Sequence, residues 1–197
     1  MERAAVTATF VAFLVFAPTA ALAHTGHDDA SGLAHGFVHP MTGIDHILAM
    51  VAVGLLAAQY GGRALWLVPL NFLVAMAIAG VIGMVGIVAP VAEVGIGVSV
   101  VVLGSAIAFQ LRPPTFVAMV VVGFFALFHG YAHGAELPDG ITGLSFALGF
   151  LLATALLHGT GVGLGLLMQR QASSRRLIQA GGGAMALVGI AVLANLF

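Results

Sequence analysis

The sequence predicts an all-α membrane protein: a bundle of six transmembrane helices that follows a cleavable N-terminal signal peptide. Composition, the length of the apolar runs and the spacing of charge carry that prediction. Of the 197 residues, 61% are hydrophobic and 7% are charged, and lysine is absent. A soluble domain of this size cannot cover its surface with so little charge. Several apolar runs approach the roughly 20 residues needed to cross a bilayer core. The 27 glycines suit helices whose backbones approach one another closely. With no cysteine, disulfides, thiolate metal sites and thiol catalysis are all excluded.

Taken in order, residues 1–23 read as the signal peptide. Arg3 precedes an apolar stretch from Ala4 to Ala17, and Pro18 and the small-residue run Ala21-Leu22-Ala23 place cleavage after Ala23. Residues 24–38 form a His-rich segment holding His24, His27, Asp28, Asp29 and His35, too short to build a core of its own. The remainder, 39–197, is the six-helix domain, with apolar segments at 41–60, 64–89, 91–110, 115–134, 141–168 and 176–197. Pro90 and Glu93 alone divide the second segment from the third.

The loop charges agree with this layout. Arg63 falls in the first connection, Arg112 in the third, and Arg170, Arg175 and Arg176 in the fifth. Glu93, Glu136 and Asp139 fall in the second and fourth. Arginine gathers on the cytoplasmic side of a membrane protein. The layout therefore predicts a bacterial inner-membrane protein with both mature termini in the periplasm.

Two stretches carry chemistry. HPMTGIDH (residues 39–46) puts His39, Asp45 and His46 at the start of the first apolar segment, and FHGYAHGAE (128–136) puts His129, His133 and Glu136 at the end of the fourth. Ionisable groups are costly at the edge of a bilayer core and mark functional sites there. In the proposed topology both clusters lie near the outer face. Positions four apart on a helix diverge by about 40° and positions seven apart by about 20°, so His129, His133 and Glu136 share a face. Gly134 and Pro138 place Glu136 where that helix unwinds. Pro40 fits a first helical position with His39 as its cap. Asp45 either supplies the negative charge a cation needs at a helix N-terminus or orients the His46 ring. The six residues are candidate ligands for a divalent transition metal, and imidazole suits Ni²⁺, Co²⁺, Cu²⁺ and Zn²⁺ alike. His24, His27 and His35 would be collectors on the same side. His158 lies midway along the fifth segment, either as a helix-to-helix hydrogen bond or as a pathway residue. The neighbouring HGTGVGLG is either a helix break or small-residue packing.

On these two stretches the chain resembles the HupE/UreJ family of bacterial nickel and cobalt permeases. The family's HPxxGxDH signature is matched by His39, Pro40, Gly43, Asp45 and His46. Its FHGxAHGxE-like signature is matched by Phe128, His129, Gly130, Ala132, His133, Gly134 and Glu136. The resemblance implies secondary uptake of Ni²⁺, or Co²⁺, to supply an enzyme such as hydrogenase or urease, by a non-enzyme with no permanent cofactor. The partners it implies are the metal ion and the lipid bilayer, and not nucleic acid. No Gly-x-x-x-x-Gly-Lys phosphate loop is present, so the chain carries no ATPase of its own. The same residues also fit two other classes, a metal-dependent intramembrane hydrolase and a metal-binding sensor or accessory subunit. Because neutral imidazole is the ligand form, uptake is expected to fall as pH drops through the histidine range near 6.5, where protons compete for the ring nitrogens. Uptake measured from neutral pH down to about pH 5 checks this, and a flat profile would count against imidazole ligation.

Overall fold

The computed structural model describes residues 29–84, 91–138, 140–169 and 174–196. The expected signal peptide, together with His24, His27, Pro90, Asp139 and Arg170, lies outside the described residues. The regular structure is helical: α1 (Asp29–Val38), one 3₁₀ turn (His39–Met41), α2 (Ile44–Tyr60), α3 (Ala64–Gly83), α4 (Val91–Ala108), α5 (Thr115–Ala135), α6 (Gly143–Gln169) and α7 (Ser174–Ala194). The five helices α3 to α7 are long and apolar enough to cross a membrane, and Ser31–Met41 with α2, bent by 82°, is long and apolar enough for a sixth if the pair counts as one span. The chain is a multi-pass membrane protein.

The bend departs from the continuous helix expected from Pro40 onward. Pro40 does begin a helical turn, but only the three-residue 3₁₀ turn, whose N-cap is Val38 rather than His39. The Thr42 amide and hydroxyl both donate to the His39 carbonyl, at 3.1 and 2.7 Å, and close that turn. Gly43 then runs extended (φ −97°, ψ 120°) as the N-cap of α2. Asp45 and His46 consequently lie in the first turn of α2, nearer its N-terminus than expected. The segment 29–38 builds no core of its own, yet it is ordered as α1 against α6. Gly36 lies on the Phe146 carbonyl and Gly149 on the Leu33 carbonyl, so neither site has room for a Cβ.

Glycine sets the other close approaches. Gly54 of α2 faces the His158 carbonyl of α6, and Gly161 of α6 faces the Val51 carbonyl. Gly130 and Gly134 of α5 face the carbonyls of Met76 and Gly80 on α3, while Gly104 of α4 and Gly182 of α7 lie against each other's backbones. Without lipid-excluding pressure between helices, such small-residue contacts are what hold membrane bundles together. By contrast, α2 and α5 touch only lightly along their lengths. Phe72, Met50, Leu103 and Ile107 fill the interior, whereas Val81, Phe116, Val120, Leu144 and Leu187 project outward to where lipid would lie.

At one end of the bundle, Tyr60 Oη donates to the Pro113 carbonyl at 2.7 Å and Gln169 Nε2 to the Ala58 carbonyl at 2.8 Å. Arg63, Arg112, Arg175 and Arg176 all belong to this end. Asp45, Glu93 and Glu136 belong to the other. HGTGVGLG does not interrupt α6: Gly161 and Gly165 pack on α2, while Gly159 and Gly163 have open space. Gly161→Ala should therefore destabilise the fold by about 1–3 kcal/mol through overpacking. Gly159→Ala should be neutral or stabilising by up to about 1 kcal/mol. Thermal unfolding of the two variants in detergent checks the contrast, and equal midpoints would refute the α2–α6 contact.

Candidate metal centre

The bend at Gly43 and the end of α5 bring the two histidine clusters together. His39, Asp45, His46, His133 and Glu136 line one open cavity of about 350 Å³, together with Glu93 and Ile96 of α4 and with Val192 and Leu196. His46 and His133 are buried, at 7% exposure each, whereas Glu136 stands more than half exposed at the rim. A Cβ at Gly43 would come within 2.8 Å of Asp45 Oδ1 and 3.1 Å of His46 Nδ1 and would push on both side chains.

Each buried ring has a carboxylate on its Nδ1 side. Asp45 Oδ1 lies 3.1 Å from His46 Nδ1 and also accepts the His46 backbone N–H at 2.9 Å. Glu136 Oε2 lies 3.3 Å from His133 Nδ1 and 3.1 Å from His39 Nε2. Hydrogen bonds from His133 first, and from His39 next, hold the Glu136 carboxyl well below the usual carboxylate range. An ionised carboxylate only accepts, so Asp45 draws the proton of a neutral His46 ring to Nδ1, while His133 Nδ1 also lies 2.9 Å from His39 Nε2. His46 Nε2 and His133 Nε2 are hydrogen-bonded to each other, so one of the two carries the proton. Two imidazole nitrogens that share one proton, each ring backed by an anion, become two nitrogen donors once a cation replaces that proton. A second donor set sits beside it: His39, His133 and Glu136 each offer an atom, all within 4.8 Å of one another.

His129 does not join the cavity lining. It lies one turn deeper, fully buried, with its ring 4.8 Å from that of His46 and its Nε2 3.0 Å from Ser99 Oγ. His158 is deeper again, with Nδ1 2.8 Å from the Met50 carbonyl and its ring 5.1 Å from Phe72. The first of its two readings, a helix-to-helix hydrogen bond, is present. His35 is exposed on α1, and His24 and His27 lie outside the described residues.

The sequence profile of the family described as HupE / UreJ protein matches residues 11–192. The chain belongs to the HupE/UreJ family. It is also 44% identical over 193 residues to a protein named Protein HupE from Rhizobium leguminosarum bv. viciae, covering 98% of this chain and 99% of that one. No solved structure matches the chain. Both signatures converge on one end of the bundle, as the alternating helix directions predicted, with His129 set below the rest. Sequence reasoning missed Glu93 as a cavity residue and Ser99 as the partner of His129. An acid in the first turn of an apolar helix is the available signal for Glu93. Nothing in the local sequence marks Ser99.

Proposed function

We propose that this HupE/UreJ protein is a secondary permease for a divalent transition-metal ion, Ni²⁺ in the first place and Co²⁺ in the second, and not an enzyme. The observation that supports it most is the opposed pair His46 Nε2 and His133 Nε2, each ring backed by a carboxylate at the mouth of a membrane bundle. His39 and Glu136 would take the ion from water, and His46 and His133, with Asp45 and Glu136 supplying charge, would replace part of its hydration shell. The donors are nitrogen and oxygen with no sulfur, which accords with Ni²⁺ and Co²⁺ and disfavours Cu⁺.

Direction follows from the arginines. With Arg63, Arg112, Arg175 and Arg176 in the cytoplasm, the cavity opens to the periplasm and both mature termini lie outside, in the inner membrane of a bacterium. In this reading 1–23 is a removed signal peptide and 24–38 a periplasmic collector whose α1 part braces α6. A dication entering down an inside-negative potential gains about 4.6 kcal/mol per 100 mV, so net uptake needs no nucleotide hydrolysis.

The test is ⁶³Ni²⁺ uptake into liposomes containing only the purified protein, with an imposed inside-negative potential and Co²⁺ and Zn²⁺ as competitors. Saturable, potential-dependent entry is expected. It should be lost in His46→Ala and in His133→Ala while both variants remain inserted. Undiminished entry in either variant would sink the proposed site. Binding without entry by the wild-type protein would favour the sensor or hydrolase class instead.

A further inference from the structure

Below the cavity, two buried imidazoles remain whose bare nitrogens the outer site does not use. His158 is 1% exposed, and its Nδ1 faces the Met50 carbonyl. A carbonyl can only accept, so Nδ1 carries the proton and Nε2 carries the lone pair. The Ser99 hydroxyl has one proton, which it donates to the Ile96 carbonyl at 2.6 Å. Its oxygen is then left to accept from His129 Nε2–H at 3.0 Å, which leaves the lone pair of His129 on Nδ1. A charged form of either ring would be a buried cation beside no carboxylate, since Asp45, Glu93 and Glu136 all stand at the cavity, so both rings are neutral.

Neither His129 Nδ1 nor His158 Nε2 has a hydrogen-bond partner among the described residues, nor does Thr154 Oγ1, one turn before His158 on the same face. All three side chains are fully or almost fully buried. Both rings lie against the same Phe72 side chain, at 5.5 and 5.1 Å between centroids. An unpaired buried polar atom is costly; Gln59 Oε1 and Tyr131 Oη are also unpartnered among the described residues, but the two imidazoles are the ones that can ligate a metal and that flank one Phe72 ring. Imidazoles that spend their N–H on a carbonyl or hydroxyl, with the other nitrogen bare, have the form taken by metal-ligating histidines.

We propose that His129 Nδ1, His158 Nε2 and Thr154 Oγ1 form a second, deeper station for the transported dication. It is reached from the outer site across the 4.8 Å between the His46 and His129 rings. The proposal rests on the permease reading and deepens it. All three donors are neutral, so this station holds the ion more weakly than the carboxylate-backed site above it. Conduction needs such a station, favourable enough to enter and weak enough to leave. Ser99 acts as a positioning residue, holding the tautomer of His129.

The test uses the full chain and the free metal ions. His158→Gln is expected to cut Ni²⁺ uptake into proteoliposomes by at least about ten-fold, while Co²⁺ binding to the detergent-purified protein stays within about three-fold of wild type. His158→Cys places a single thiol at this depth in a chain that has no other cysteine. Cd²⁺ should then produce a thiolate-to-metal charge-transfer band and block Ni²⁺ uptake, neither of which a packing role would cause. Uptake near the wild-type rate in His158→Gln overturns the proposal, as does loss of its Co²⁺ binding together with uptake. No charge-transfer band in folded His158→Cys protein overturns it as well. A wild-type protein that itself fails to transport is instead a failure of the permease reading, and the charge-transfer measurement in detergent keeps the two apart.

Discussion

The imidazoles of α2 and α5 meet across a gap that neither helix closes, because each is held by its other face to a different neighbour. Gly54 and Gly161 hold α2 to α6, and Gly130 and Gly134 hold α5 to α3, with backbone against backbone. Where α2 and α5 themselves face each other, contact is light, and polar side chains take the room that close packing would have removed. A larger residue at any of these glycines would shift a whole helix and with it one half of the cavity. Close packing on one side is thus the condition for a polar site on the other.

Depth orders the polar groups within that gap. The carboxylates Asp45, Glu93 and Glu136 stay at the mouth, where water and the bend at Gly43 can accommodate charge. Below them, among the described residues, imidazole and hydroxyl groups continue, each ring fixed by one hydrogen bond to Ser99 or to the Met50 carbonyl. Charge in the apolar region is expensive, so a route made of neutral donors below an anionic mouth is the arrangement that limits the cost. At the opposite end the arginines cluster, with Tyr60 and Gln169 tying the helix ends together.

Much of this architecture was legible in the sequence because membrane helices announce themselves by length and composition. The segments expected at 91–110, 115–134 and 141–168 agree with Val91–Ala108, Thr115–Ala135 and Gly143–Gln169 to within two residues at each end. The convergence of HPMTGIDH and FHGYAHGAE on one end followed from alternating helix directions alone. The break at Thr42–Gly43 was not legible, since Pro40 suits the start of an α-helix as well as that of a 3₁₀ turn. Nor was the depth of His129. Helical spacing puts it on the face of His133 but does not say where the cavity floor lies, and Ser99, which fixes its tautomer, is distant in sequence.

The central claim is that imidazoles of α2 and α5 bind one metal ion between them. X-ray absorption at the nickel edge of the purified, Ni²⁺-loaded protein tests it most directly. Nitrogen and oxygen coordination is predicted, with scattering from at least two imidazole rings that drops in His46→Ala and again in His133→Ala. A nickel environment without imidazole scattering, or a spectrum unchanged by either substitution, would contradict the account.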